Sequence, residues 1–96
     1  MPILNLQFAQ RRILEILASG SVIPGMHCRE RMIERNVYMP DVQNVLKAGT
    51  IQPGQANGDD ADCIFRVYGT DVEGEDLVLV IKILDTENRL ELISVF

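Results

Sequence analysis

The stretch Leu77-Val78-Leu79-Val80-Ile81-Lys82-Ile83-Leu84 decides the fold. It is too short for a typical buried helix and rich in β-branched residues, so it is predicted to be a strand. Its nearly continuous apolar character predicts a central strand covered on both faces. Lys82 is the one charge in the run, on the face shared by Val78, Val80 and Leu84.

The pattern repeats on either side. Asp85-Thr86-Glu87-Asn88 reads as a turn, and residues 89–96 as a last strand. Alternation places Leu90, Leu92, Ser94 and Phe96 on one face of that strand and Glu91, Ile93 and Val95 on the other. Residues 71–76 read as an acidic hairpin loop. Residues 63–70 read as a strand with Cys63, Phe65 and Val67 on one side and Ile64, Arg66 and Tyr68 on the other. Residues 50–55 form a short strand that Pro53 marks as an edge or bulge. Residues 55–62 form a polar, acidic loop. Short connections between successive strands imply a four-stranded antiparallel meander.

Ahead of Thr50 the period is helical. Leu6, Ala9, Ile13, Ile16 and Leu17 lie on one face of a helix over residues 6–19, with Asn5 as its N-cap and Gly20 as its stop. Pro24-Gly25 prevents continuation. A second helix spans residues 26–35 and ends on Asn36, a residue that tolerates left-handed backbone. A third starts at Pro40-Asp41, with Val42, Val45 and Leu46 as its buried edge, and closes at Gly49. The expected architecture is α+β: N-terminal helices packed on a four-stranded antiparallel meander as a two-layer sandwich. Residues 1–96 form a single domain.

The 96 residues carry a net charge of −5, unevenly divided. Residues 1–49 hold six basic and four acidic side chains, residues 50–96 three basic and ten acidic. An acidic whole argues against nonspecific nucleic-acid binding, which needs a basic footprint. Cys28 and Cys63 are too few for a disulfide framework and read as reduced, mostly buried thiols. There is no transmembrane run and no signal-peptide pattern, so a cytoplasmic protein without membrane attachment is expected.

His27, Arg31 and Arg35 are spaced i, i+4, i+8 and form one ridge on the second helix. An imidazole beside guanidinium groups can move a proton near neutral pH and hold a phosphate. Metal-independent RNA cleavage requires those two tasks. Arg66, Tyr68 and Lys82 complete such a site where their face opens onto the same cleft, and Arg29 adds a further anion-binding candidate. The competing reading is an ion-paired surface, with Glu30 and Glu34 neutralising Arg31 and Arg35. Lys82, Arg66 and Tyr68 likewise read as packing residues. No metal or cofactor is implied: His27 has no ligand partners at metal spacing, and Gly58-Asp59-Asp60-Ala61-Asp62 lacks the terminal Glu of an EF-hand.

The segment 27–37 has the form His-x-x-x-Arg-Met-x-x-Arg-Asn-Val, followed by Asp41-Val42, Val45-Leu46, Gly49-Thr50-Ile51, Phe65-Arg66-Val67 and Ile93-Ser94-Val95-Phe96. This order of motifs resembles the domain of unknown function 4258 family over residues 26–96, leaving residues 1–25 as an extra N-terminal helix and loop. The resemblance implies a layout like that of the RelE/ParE toxin group, with an antitoxin as partner. It carries His27, Arg31, Arg35 and Arg66 over as the candidate catalytic residues.

Two functions compete. One is a non-catalytic interaction module, possible as a homodimer or bound to an antitoxin or other protein partner. The alternative is a metal-independent, toxin-like endoribonuclease or RNA binder, with His27 as general acid/base.

Overall fold

The amphipathic period of the N-terminal segment produces helix α1 (Leu6–Ser19), which buries Ala9, Ile13 and Ile16 along one stripe. The structure, a computed structural model, describes residues 6–54 and 63–96. Asn5, Gln55 and the acidic loop with its candidate calcium motif lie outside the described residues.

α1 ends where Gly20 donates to the Ile16 carbonyl at 2.7 Å. A Cβ on Gly20 would stand 2.0 Å from the Asn88 carbonyl oxygen, so only glycine lets the chain pass this turn. The chain then enters strand β1 (Ser21–Pro24). Helix α2 (Met26–Glu34) follows from the N-cap Gly25, and Asn36, at φ 55°, turns the chain out of it. Helix α3 (Met39–Ala48) carries Pro40 in its first turn. The sheet continues with β2 (Thr50–Pro53), β3 (Ile64–Thr70), β4 (Asp76–Leu84), a 3-10 turn (Asp85–Glu87) and β5 (Arg89–Val95).

The strand order is β1-β5-β4-β3-β2. The meander β2 to β5 is antiparallel throughout, while β1 pairs with β5 in parallel, from Ser21 opposite Arg89 to Pro24 opposite Leu92. The fold is thus α+β with three helices and a five-stranded mixed sheet among the described residues, not a four-stranded antiparallel one. The missing strand lay in the segment expected to be a loop. Four residues of alternating half-burial are too few to display a period.

One core joins Ala9, Ile13 and Ile16 of α1, Cys28 and Met32 of α2, and Val42, Val45 and Leu46 of α3 to one face of the sheet. That face presents Phe65 and Val67 from β3, Leu77, Leu79, Ile81 and Ile83 from β4, and Leu90, Leu92 and Val95 from β5. β4 occupies the centre, as expected. Its other face, with Val78, Val80, Lys82 and Leu84, is only half-buried, which corrects the expectation of cover on both sides.

β5 departs from simple alternation. Val80 pairs with Ser94 but Ile81 with Leu92, so Ile93 is an extra residue in a β-bulge. The bulge reverses the parity: Val95 is fully buried, while Ser94 is half-buried and Phe96 exposed. Leu90 and Leu92 therefore share their face with Val95, and Phe96 belongs to the opposite, open face. None of the described helices is long and apolar enough to cross a membrane.

Candidate functional site

β1 stops at Pro24, so on the edge facing away from β4 the last residues of β5 have no strand beside them. α2 takes that place along the edge of β5. The Arg31 Nε–H reaches the Val95 carbonyl at 3.4 Å, a long contact that helps to cover an otherwise unpaired edge acceptor. From there the Arg31 guanidinium lies 5.7 Å from the centre of the Phe96 ring.

Arg66 arrives at the same ring from the sheet. The register sets Arg66, Val80 and Ser94 side by side across β3, β4 and β5. Phe96 and Val78 exchange both backbone hydrogen bonds, at 3.1 and 2.8 Å, which makes Phe96 diagonal to Arg66 on the open face. The Arg66 guanidinium is 5.9 Å from the ring centre. The two arginines therefore meet at one aromatic side chain, each in cation–π range.

The electrostatics of this corner are unbalanced. Neither Arg31 nor Arg66 forms an ion pair among the described residues, and Glu30 and Glu34 do not pair with Arg31 or Arg35. Arg66 also keeps a buried Nε without a hydrogen-bond partner. A buried donor left unpaired costs about 1–3 kcal/mol. Two positive charges each about 6 Å from one ring repel one another by at least ~0.3 kcal/mol even with full water screening. An anion beside either guanidinium would offset the repulsion.

The remaining candidates diverge. His27 is exposed in the first turn of α2, one turn before Arg31, and has no hydrogen-bond partner among the described residues. Arg29 rims a separate apolar hollow of about 430 Å³ walled by Met32, Ile33, Val37, Tyr38 and Met39. Arg35, the C-cap of α2, faces a groove of about 590 Å³ lined by Asp41, Asp71, Glu73, Glu75 and Asp76. That groove would repel a phosphate. Tyr68 is 43% exposed on the open face, and Lys82 sits opposite Glu91 on that face. The expected three-residue ridge therefore splits: Arg31 joins Arg66, and Arg35 turns to acidic surroundings.

Phe96 was not among the residues expected at the site. The signal was Ser94, a polar residue that alternation placed on one face with Leu90 and Leu92. Among the described residues no three His, Cys, Asp or Glu side chains are placed to hold a metal ion.

Neither a curated protein nor a solved structure matches the chain. The profile of a family described as Domain of unknown function (DUF4258) matches residues 25–96, from the N-cap of α2 to the end of the sheet. The match takes in α2, α3 and the whole antiparallel meander, with Arg31, Arg66 and Phe96 inside it, and the chain belongs to that family.

Proposed function

We propose that this chain is a non-catalytic interaction module whose binding surface is the open face of the sheet. The observation that carries this reading is the Arg31–Phe96–Arg66 corner: two guanidinium groups at one exposed ring, with no carboxylate among the described residues pairing either. Val78 and Val80, half-buried on the same face, supply apolar area beside it. A catalytic base needs both reach to its substrate and a group that orients it. His27, exposed and without a hydrogen-bond partner among the described residues, lacks the second. The same surface suits an antitoxin-like protein or a second copy of the chain, and a cytoplasmic setting accords with two free thiols.

One observation favours the alternative, a toxin-like endoribonuclease or RNA binder: paired arginines are suited to phosphate. Kinship to RelE/ParE-type toxins belongs to that alternative and rests on the helix-plus-sheet layout alone. The deciding experiment is cleavage of messenger RNA, with and without ribosomes, by wild type and by His27→Ala. The module reading expects no cleavage by either protein. Cleavage by wild type that His27→Ala abolishes would overturn it.

A further inference from the structure

The geometry points to the chemistry of the partner: we propose that the Arg31–Phe96–Arg66 corner receives a carboxylate side chain from an acidic peptide segment with apolar neighbours. This deepens the interaction-module reading and rests on it. The site has three properties that select such a ligand. The first is a pair of planar donor forks arriving from different elements, α2 and β3, either of which can hold a carboxylate bidentately. The second is the Arg66 Nε–H, buried and without a partner, which gains a ligand oxygen when the Arg66 side chain turns outward on binding. The third is the setting. Phe96 and Tyr68 are 41% and 43% exposed, Val78 lies between them across the sheet, and Val80 stands opposite Arg66 on the same face. A carboxylate flanked by apolar side chains fits this mixture, since the apolar groups cover rings and valines while the charge meets the arginines.

A nucleic-acid backbone shares the anionic chemistry but fits less well. The chain carries a net −5, and ten of its acidic residues lie in the half that forms the meander. A polyphosphate approaching this surface meets repulsion from beyond the two arginines, whereas a single carboxylate feels mainly charges within a Debye length of about 8 Å.

The test is an NMR titration that observes the Arg66 Nε–H and Ser94 amide resonances. The probes are a short peptide with one glutamate between leucines, the same peptide with glutamine in place of glutamate, a single-stranded RNA oligonucleotide and inorganic phosphate. The proposal expects saturable shifts with the glutamate peptide and binding at least about tenfold weaker for the glutamine peptide. Arg66→Gln and Arg31→Gln should each weaken glutamate-peptide binding about tenfold, the scale of one lost charge-assisted contact. Arg35→Gln, outside the corner, should leave it unchanged. Because Arg31 and Arg66 sit on different elements, a folding defect in one variant does not remove the test.

Equal binding of the two peptides, tighter binding of RNA or phosphate, or no shift with any probe would overturn the proposal. Its failure is separable from failure of the module reading. RNA cleavage dependent on His27 refutes the module. Equal binding of the two peptides without RNA binding or cleavage refutes only the peptide assignment, whereas RNA binding at the corner favours the RNA-binder alternative.

Discussion

Removing the Asp41 carboxylate should loosen two parts of the fold at once. Asp41 is 6% exposed at the third position of α3, and its two oxygens accept from different segments. Oδ2 accepts the Tyr38 N–H at 2.9 Å, closing the helix N-terminus, and Oδ1 accepts the Val72 N–H at 3.0 Å, holding the β3–β4 loop. Hydrogen bonds to a charged group contribute about 1.5–3 kcal/mol each. Tyr38 and Val72 are both well exposed, so water can reach the freed N–H groups and the low end applies. Asp41→Ala should therefore cost about 2–3 kcal/mol. At about 4–8 °C per kcal/mol for a domain of this size, Tm should fall by roughly 10–20 °C. Asp41→Asn keeps one acceptor but turns an amide N–H2 toward the other donor, so it should lose about half as much. The assay is thermal unfolding by far-UV circular dichroism, with amide exchange at Tyr38 and Val72 as the local readout. The loop keeps its own ties, through Asp71 Oδ1 to the Glu73 and Glu75 N–H groups and Asn44 to the Thr70 carbonyl. Exchange should thus rise most at those two amides. An Ala variant within about 2 °C of wild type, or with unchanged exchange there, would refute the argument.

Arg12 binds the side chains of Asp85 and Asn88 and the Asp85 carbonyl while only 16% exposed, so Arg12→Ala should cost about 1–2 kcal/mol, read as a lower urea midpoint with an unchanged slope. Gly20→Ala forces a Cβ against the Asn88 carbonyl and should cost about 1–3 kcal/mol, more than Gly74→Ala, where φ is +89° but nothing lies within 4 Å; paired denaturation curves rank the two. Burial pushes the Cys28 thiol above its ordinary value of 9.0. The unfolded chain therefore ionises first as pH rises, and the stability associated with Cys28, fully present below pH 9, should be lost progressively above it. Native Cys28 should accordingly resist a thiol reagent at pH 8 until denaturant is added, and rapid labelling at Cys28 itself, located by peptide mass spectrometry because Cys63 is a second thiol, would contradict its burial.

Local patterns were legible in the sequence and non-local ones were not. The α1 stripe repeats over enough turns to fix the helix from sequence, and Asn36 ends α2 in the left-handed conformation its chemistry allows. The central place of β4 followed from its apolar run. β1 escaped notice because its only evidence is a parallel pairing with β5, more than sixty residues away. The bulge at Ile93 adds one residue and exchanges the faces of everything after it. That exchange carries Phe96 to the open face and into contact with both arginines. The candidate site was therefore half legible: helix spacing selected Arg31 and strand alternation selected Arg66, while their meeting point depends on a backbone irregularity. Arg35 parted from Arg31 because α2 ends at Glu34, leaving Arg35 as a C-cap off the helical ridge.

The family match begins at residue 25, yet the hydrophobic core does not. Ala9, Ile13 and Ile16 are at most 1% exposed, and β1 covers one edge of β5. Burial of a large aliphatic side chain contributes about 1.5–3 kcal/mol, so Ile13 and Ile16 alone account for roughly 3–6 kcal/mol before the cost of ordering α1. Domains of this size are stable by about 5–15 kcal/mol. A fragment of residues 25–96 would also expose the sheet and α3 side chains that α1 now covers, together with the unpaired edge of Leu90 and Leu92. It should therefore bind a hydrophobic dye, give poorly dispersed NMR spectra and unfold without a cooperative transition. Adding residues 6–24 back as a separate peptide should restore dispersion, because the lost contacts lie along one helix and one strand. A fragment that unfolds cooperatively near the midpoint of the full chain would show that the matched segment is self-sufficient. α1 and β1 would then be an addition to the domain rather than a layer of its core.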